Sequence, residues 1–193
     1  MKFATWNQNK RKEADAILWG NLERVDLDLD EIQSTQVEDV VEHKARLAYQ
    51  ITGEPVLVED AGLRFEARNA LPWALIKRFM KEVGTQGLLD QLSIFKNRNA
   101  EALCCVGFFD GETVHKFIGK VKWTISETPR WETNFWWDPI FIPNGSEKTF
   151  WEMNPEEKMR WVTENWLENK LKYFLIRIIN HKEFLAKQFP WSY

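Results

Sequence analysis

The chain has 193 residues, of which 44% are hydrophobic and 28% are charged, and its formal net charge is −3. This length fits one domain or two closely joined lobes, and the hydrophobic share is large enough for a packed core, which excludes an intrinsically disordered chain. The slightly acidic balance argues against a protein that binds duplex nucleic acid, since such proteins carry a basic surface.

The N-terminal half alternates predicted strands with predicted helices. Hydrophobic periodicity predicts strands over residues 2–6, 25–30, 55–58 and 63–67, and helices over residues 10–19, 37–51, 73–83 and 86–92. The strictly alternating stretch 25–30 predicts a strand with one solvated face. The apolar run 55–58 predicts a buried strand that ends at Glu59 and Asp60.

The C-terminal half predicts a β-meander followed by helix. A hairpin is predicted over 102–118, with its turn at Asp110 and Gly111, and residues 120–126 extend it. A loop over 128–138 leads to a short strand at 140–142. Asn154 and Pro155 form a helix-start signal, and the helical segment reaches about residue 187. The order is α/β first, a β-meander in the middle and helix last, with no internal repeat, and we expect one domain over 1–193.

A pair of adjacent indoles beside a carboxylate is the most informative local feature. Trp136 and Trp137 follow Phe135 and precede Asp138. Because an exposed Trp leaves a large apolar area in water, such a pair fills either a core or a stacking pocket for a flat ligand. In the second case Asp138 could hydrogen-bond the polar edge of that ligand. The spacing alone leaves both interpretations equal.

The first strand is followed by residues typical of an anion site. Thr5, Asn7 and Lys10 lie where a strand meets the start of a helix, whose backbone N–H groups favour a phosphate. An ordinary helix cap explains the same residues and is the stronger interpretation for this segment alone.

Carboxylates at predicted strand ends indicate a magnesium site. Glu31 follows an acidic strand and Asp60 follows a buried one. Hard oxygen ligands of this kind are what Mg²⁺ prefers. Asp28 and Asp30 are interpreted as a solvated strand face, and Lys77 and Lys158, taken alone, as solvated helix positions.

The remaining composition indicates a reducing setting. Cys104 and Cys105 are adjacent, so their side chains point to opposite faces of a strand and are poorly placed to bridge each other. The N-terminus lacks a signal-like apolar segment, and no run is long enough to cross a bilayer. We therefore expect a cytoplasmic protein without a membrane partner.

Seven segments, taken in order, resemble the inosine triphosphate pyrophosphatase family, which hydrolyses non-standard purine nucleoside triphosphates. The resemblance covers roughly residues 1–170. The segments are Thr5-x-Asn7-x-x-Lys10, 29–33, 58–63, Leu71-Pro72 to Lys77, Phe135 to Pro143, 148–153 and 156–158.

The resemblance implies an elongated α/β domain with a long mixed β-sheet flanked by helices, and two lobes around a central cleft. It implies that water attacks the α-phosphorus of a nucleoside triphosphate, giving the monophosphate and pyrophosphate, with Mg²⁺ required. It also implies a homodimer.

The resemblance assigns roles to individual residues. Glu31 and Asp60 correspond to the metal-binding carboxylates, and Asp60 is also the candidate that activates the water. The predicted contacts to the triphosphate or sugar are Thr5, Asn7, Lys10, Lys77 and Lys158. Phe135, Trp137 and Asp138 match the segment that holds the base, and Trp136 lies within it.

The chain departs from the family pattern mainly at tryptophan. Trp6, Trp73, Trp131 and Trp136 stand where the pattern has glycine, which is used where the backbone needs φ > 0 or approaches a ligand closely. Trp151 replaces a small residue, Ala61 replaces a hydroxyl residue, and a Ser-His-Arg segment that contacts the base is represented by Val162, Thr163 and Glu164. The phosphate and metal half of the site therefore matches the family, while the base half differs.

These departures leave four interpretations of the chain. The first is an active pyrophosphatase with a changed or narrowed base preference. The second is a catalytically impaired descendant that binds a nucleotide or flat ligand through its indoles, and the third is a chain altered by engineering. In the fourth, the extra tryptophans simply fill the core, as the patterns at Trp19, Trp123, Trp161 and Trp166 indicate.

Overall fold

The computed structural model describes residues 1–5, 22–130, 137–154 and 156–157. The helices and strands, in chain order, are β1 (Lys2–Ala4), β2 (Glu23–Val25), α1 (Val37–Thr52), β3 (Val56–Phe65), β4 (Pro72–Trp73), α2 (Ile76–Leu92), β5 (Asn99–Phe109), β6 (Val114–Ile125) and β7 (Phe141–Pro143). Short 3-10 turns lie at Glu66–Arg68 and Asp138–Ile140. The predicted helix over 10–19 and the helical segment beyond 157 lie outside the described residues.

The strands form one seven-stranded mixed sheet in the order β2-β1-β3-β5-β6-β7, with β4 paired to β3. β1 runs parallel to β2 and β3, and the other neighbours are antiparallel. The predicted α/β fold with a long mixed sheet is confirmed. Within the described residues, no helix is both long and apolar enough to cross a membrane.

Strand β3 corrects the prediction of two short strands separated at Glu59 and Asp60. It is one strand of 10 residues, and β5 pairs with its whole length, from Val56 opposite Phe109 to Phe65 opposite Ala100. The two carboxylates therefore lie in the middle of a strand, not at its end. Continuous pairing on the β5 side is what keeps the polar stretch extended.

The opposite edge of β3 is interrupted. β1 pairs with it only at Val56 and Leu57, and β4 pairs with it only at Leu63 and Arg64. Among the described strands, none pairs with residues 58–62 on this edge. We call this gap the notch. Because Asp60 lies at its centre, the notch gives a mid-strand carboxylate access to solvent.

The predicted strand over 25–30 is wrong, because β2 is Glu23–Val25 and residues 26–30 join no ladder. The alternation has a different cause. Leu27 and Leu29 are partly buried against the core beside α1, while the three aspartates between and around them are exposed: Asp26, Asp28 and Asp30. Burial of every second residue does not require strand pairing.

The two described helices cover opposite faces of the sheet. Val41, Ala45 and Ala48 of α1 pack on Val58 and Leu103. On the other face, Leu88, Leu89 and Leu92 of α2 pack against an aromatic group that includes Phe65, Trp123, Phe141 and Phe150. Trp123 is 1% exposed, which confirms the core-filling interpretation for this residue.

Two helix boundaries were predicted well and one was not. α1 ends at Gly53, whose φ of 67° is left-handed. The predicted break at Gly84 is a non-helical kink within α2, which runs on to Leu92. The helix predicted from residue 73 begins instead at Ile76, because Trp73 belongs to β4.

The predicted hairpin and C-terminal helix start are also confirmed. Asp110 accepts hydrogen bonds from the backbone N–H groups of Glu112 and Thr113, which closes the turn. At residue 154 a reciprocal cap forms: the Glu157 N–H donates to Asn154 Oδ1 at 2.8 Å, and the Asn154 N–H donates to Glu157 Oε2 at 2.9 Å. Such a capping box marks a helix N-terminus.

Candidate active site

A cavity of about 330 Å³ opens at the notch. It lies between the end of β1, the segment before α1, the middle of β3 and the start of α2. Its lining residues are Ala4, Thr5, Leu27, Asp28, Leu29, Asp30, Glu31, Lys44, Glu59, Asp60, Ala61, Ala74, Lys77 and Arg78. Four residues that the sequence singled out, Thr5, Glu31, Asp60 and Lys77, therefore meet in one place.

The two predicted metal-binding carboxylates reach this cavity from different segments. Glu31 comes from the irregular segment before α1, and Asp60 comes from the centre of β3. Alternation along β3 turns Asp60 toward the face that α1 covers, because Val58 packs there. The Asp60 side chain is 16% exposed, so it can reach a ligand while most of its surface is covered.

Lys44 is the functional candidate that the sequence interpretation missed. Its Nζ lies 3.6 Å from Asp60 Oδ1 and 3.7 Å from Glu31 Oε1, and it donates a hydrogen bond to the Glu59 carbonyl oxygen at 3.2 Å. The available signal was its position on α1. Lys44 lies three and four residues after the buried Val41 and Val40, so it is a charge within the apolar stripe.

Lys77 contacts the same carboxylate oxygen of Glu31 as Lys44 does. Its Nζ donates to Glu31 Oε1 at 3.0 Å. Lys77 is the second residue of α2, and the connection to the Glu31 segment is reinforced by the Ala74 N–H, which lies 3.4 Å from the Thr35 carbonyl. Two ammonium groups thus flank one carboxylate, and a charged site of this kind suits a polyanionic ligand together with a cation.

Thr5 follows the last residue of β1. Its N–H donates to the Val25 carbonyl at 3.2 Å, and its carbonyl accepts from Arg24 Nε at 3.0 Å. These bonds fix the strand end that borders the cavity. Asn7, Lys10 and Lys158 lie outside the described residues, so their predicted phosphate contacts stay predictions.

Cys105, beneath this cavity, is poorly suited to act as a nucleophile. Cys105 pairs with Asp60 across β5 and β3. Burial, with a contribution from the negative charge of Glu38, raises the pKa of the Cys105 thiol to about 12. The thiol therefore stays protonated at neutral pH, and the thiolate is the nucleophilic form. Both cysteines are free, as expected.

Trp137 and Asp138 are not among the residues that line this cavity. Trp137 is 5% exposed, and its ring centroid lies 6.4 Å from that of Phe141. Asp138 is buried and begins a 3-10 turn, where its carbonyl accepts the Trp151 N–H at 3.2 Å. Of the two interpretations of the indole pair, the core corner describes the Trp137 ring. Its contact with a base stays a prediction, and Phe135 and Trp136 lie outside the described residues.

Trp73 adopts a backbone conformation that suits glycine. Its φ is 54°, in the left-handed region, where an L side chain costs roughly 1–2 kcal/mol. The family-based expectation of glycine at this position is therefore physically reasonable. The Trp73 side chain remains in place because it is 7% exposed and packs in the core beside α1. Trp6, Trp131 and Trp136 lie outside the described residues.

Comparison with known proteins gives a consistent result. The Ham1 family model matches residues 1–163. An inosine triphosphate pyrophosphatase of Scheffersomyces stipitis is 42% identical, covering 90% of this chain and 96% of the relative. A dITP/XTP pyrophosphatase of Methanopyrus kandleri is 41% identical, covering 82% and 86%. The crystal structure of a nucleoside-triphosphatase, or dITP/XTP pyrophosphatase, from Mycobacterium abscessus matches with a TM-score of 0.72 at 27% identity, covering 91% of this chain and 99% of that one.

Proposed function

This chain belongs to the Ham1 family, and on that premise we propose that it hydrolyses a nucleoside triphosphate to the monophosphate and pyrophosphate. One observation carries the proposal: two carboxylates and two lysines from four separate segments converge in the notch cavity. This arrangement offers cationic contacts for phosphate oxygens and anionic contacts for a metal ion at the same place.

Mg²⁺ fits the donors present. Mg²⁺ is commonly held by one or two carboxylates together with substrate phosphates and water. Glu31 and Asp60 supply two such carboxylates in the cavity, which we assign as its ligands. When bound, the metal neutralises negative charge on the phosphates.

The lysines supply the remaining charge stabilisation. In the structure Lys44 and Lys77 pair with carboxylates. We propose that both lysines exchange these carboxylate partners for the triphosphate, so that each ammonium would contact a phosphate oxygen. Preplaced cations stabilise the charge that accumulates in the transition state. Asp60 is the group we assign to orient and deprotonate the attacking water, and Lys10 and Lys158 are proposed as further phosphate contacts.

The proposed substrates are non-standard purine nucleotides, of the ITP, dITP and XTP kind that the relatives' names give. Val162, Thr163 and Glu164 stand where the base-contacting Ser-His-Arg segment is expected, so we propose a changed base preference. Identities of 41–42% to pyrophosphatases favour the enzyme over the alternative of an impaired or engineered nucleotide binder.

A pyrophosphate-release screen tests this function. The panel contains the common and the deaminated nucleoside triphosphates, each with and without Mg²⁺, in ribose and deoxyribose forms. We expect Mg²⁺-dependent release from at least one nucleotide, and release from Asp60→Asn that is slower by about 10²–10⁴-fold, the usual contribution of a general base. Absence of release across the panel, with tight nucleotide binding that Asp60→Ala leaves unchanged, would instead support the nucleotide binder.

The predicted assembly and location complete the proposal. We propose a homodimer, which sedimentation velocity tests directly. We also propose the cytoplasm, and the two buried free thiols support a reducing compartment.

A further inference from the structure

The corner between β4 and α2 connects the notch to a charged pair on the sheet surface. β4 is only two residues long and ends at Trp73. The next residue, Ala74, lines the cavity, and Lys77 follows three residues later. The conformation of Trp73 therefore sets the direction in which the chain enters α2.

Besides its core contacts, the Trp73 ring also has a cation from β3 stacked on it. The Arg64 guanidinium carbon lies 4.7 Å from the ring centroid, within the range of a cation–π contact. Arg64 is directly opposite Pro72 on one side and Glu101 on the other in the strand register. Its Nη2 lies 2.8 Å from Glu101 Oε1, and the Glu101 side chain is 12% exposed. A largely buried carboxylate is thus ion-paired with the guanidinium that stacks on the indole.

The backbone of this corner also packs tightly on β3. A Cβ added at Gly62 would lie 3.1 Å from the Trp73 carbonyl carbon, 3.2 Å from its oxygen and 2.6 Å from Val37 Cγ2. Only glycine permits this approach, and Gly62 is two residues from Asp60. The corner therefore has a close backbone contact on one side and the Arg64 stack on the other.

We propose that Arg64 is a positioning residue for the reaction, acting through the Trp73 stack to place Lys77 over the cavity. This inference rests on the proposed function, in which Lys77 contacts the triphosphate. Unlike glycine, a Trp residue does not readily adopt the positive φ seen at Trp73. Contacts around Trp73 must therefore hold the corner in this conformation. Loss of the stack lets the start of α2 move, and the Lys77 ammonium with it.

A double-mutant cycle tests the path through Lys77. KM and kcat for ITP, or for the best nucleotide of the screen, are measured for Arg64→Leu, alone and with Lys77→Met. We expect Arg64→Leu to raise KM roughly 5–10-fold with little change in kcat, and to add nothing in the Lys77→Met background, since residues on one path are not additive. Equal effects in both backgrounds, or an unchanged KM, would overturn the proposal.

Two further variants separate positioning from a general loss of structure. Arg64→Lys keeps a cation over the ring and is expected to restore most of the lost KM. Arg46→Leu is the matched control, because Arg46 also stacks on an aromatic ring, Phe109 at 5.3 Å, and also pairs with a glutamate. It is expected to leave KM unchanged. If Arg64→Leu does not fold, Glu101→Gln weakens the same stack and should raise KM in the same direction.

A readout in the nucleotide-free protein keeps this inference separate from the proposed function. Lysines are reductively methylated with ¹³C, and the Lys77 signal is identified by its loss in Lys77→Arg. We expect Arg64→Leu to shift this signal and Arg46→Leu to leave it in place. A wild-type protein that releases no pyrophosphate would refute the function alone, whereas an unmoved Lys77 signal would refute the positioning role.

Discussion

Two regions of the molecule differ in the interactions that hold them together: the notch at β3 and the aromatic group between β6 and β7. At the notch, the side chains are charged and come from four segments. Lys44 pairs with both Glu31 and Asp60, and Lys77 pairs with Glu31. Near β7, the group around Trp123 is buried and aromatic, and the Trp123 ring centroid lies 3.8 Å from that of Phe141 and 4.4 Å from that of Phe150.

The difference has a topological origin. β1 and β4 leave residues 58–62 of β3 unpaired on one edge, so water and ligands reach the middle of the sheet there. β6 instead carries β7 as a neighbour at Trp123, Thr124 and Ile125, and loops fold over that end. We therefore expect changes at the notch to affect activity more than stability, and changes in the aromatic group to do the reverse.

Asp60→Asn is expected to have the largest effect. The substitution keeps the size of the side chain but removes the proposed metal ligand and base, so kcat should fall about 10²–10⁴-fold, the usual contribution of a general base. Its thermal unfolding midpoint should change little. Pyrophosphate release and thermal unfolding check both parts.

Asp28→Asn is the matched control, because Asp28 faces the same cavity without a predicted catalytic role. An equal loss of kcat in both variants would mean that only the net negative charge of the notch matters, and the assignment to Asp60 would fail.

Trp123→Ala is expected to have the largest effect on stability. The indole is 1% exposed, so its truncation removes buried apolar surface and leaves a cavity. The free energy of unfolding should therefore fall by about 3–5 kcal/mol. Trp123→Phe should cost under about 1.5 kcal/mol, because it keeps most of the volume and removes an indole N–H that has no hydrogen-bond partner among the described residues. Urea unfolding measures both, and similar losses would contradict the packing interpretation.

Much of the notch was predictable because its chemistry is carried by residue type. Thr5, Glu31, Asp60 and Lys77 were identified from strand ends and family-like motifs, and the cavity brings all four together. The α1 boundaries followed from the periodicity and from Gly53. These features depend on local patterns, which a sequence shows directly.

The features that were missed depend on long-range pairing. Glu59 and Asp60 resemble a strand end, and only the register with β5 reveals one continuous strand. Lys44 resembles a solvated helix residue until α1 is placed over β3. The stack of Arg64 on Trp73 joins residues from two strands whose pairing no local pattern predicts.

Lys44→Met measures how much of the notch depends on this missed residue. Lys44 lies within 4 Å of both predicted metal-binding carboxylates, so its loss leaves the phosphates with one cation fewer. We expect kcat/KM to fall about 10–100-fold, which corresponds to the roughly 1.5–3 kcal/mol of a charged hydrogen bond. Steady-state kinetics check this value. Arg46→Met, two residues along the same helix on its exposed side, should leave kcat/KM unchanged, and a similar fall there would point to helix damage.

The smallest expected effect is at Asp110 in the hairpin turn. This carboxylate should contribute to stability and not to activity. Burial alone would raise the pKa of Asp110, but the N–H groups of Thr113 and Glu112 and the nearby His115 outweigh it and lower the pKa to about 2. Because the folded-state pKa lies below the ordinary value of 3.8, this stabilisation is complete above about pH 4 and is lost as the pH falls toward 2. Asp110→Asn should therefore flatten the acid limb of the stability curve in that window, measured by urea unfolding at several pH values, while leaving kcat/KM at neutral pH unchanged. An altered kcat/KM would mean that the hairpin communicates with the notch, and the separation between the charged cavity and the rest of the sheet would not hold.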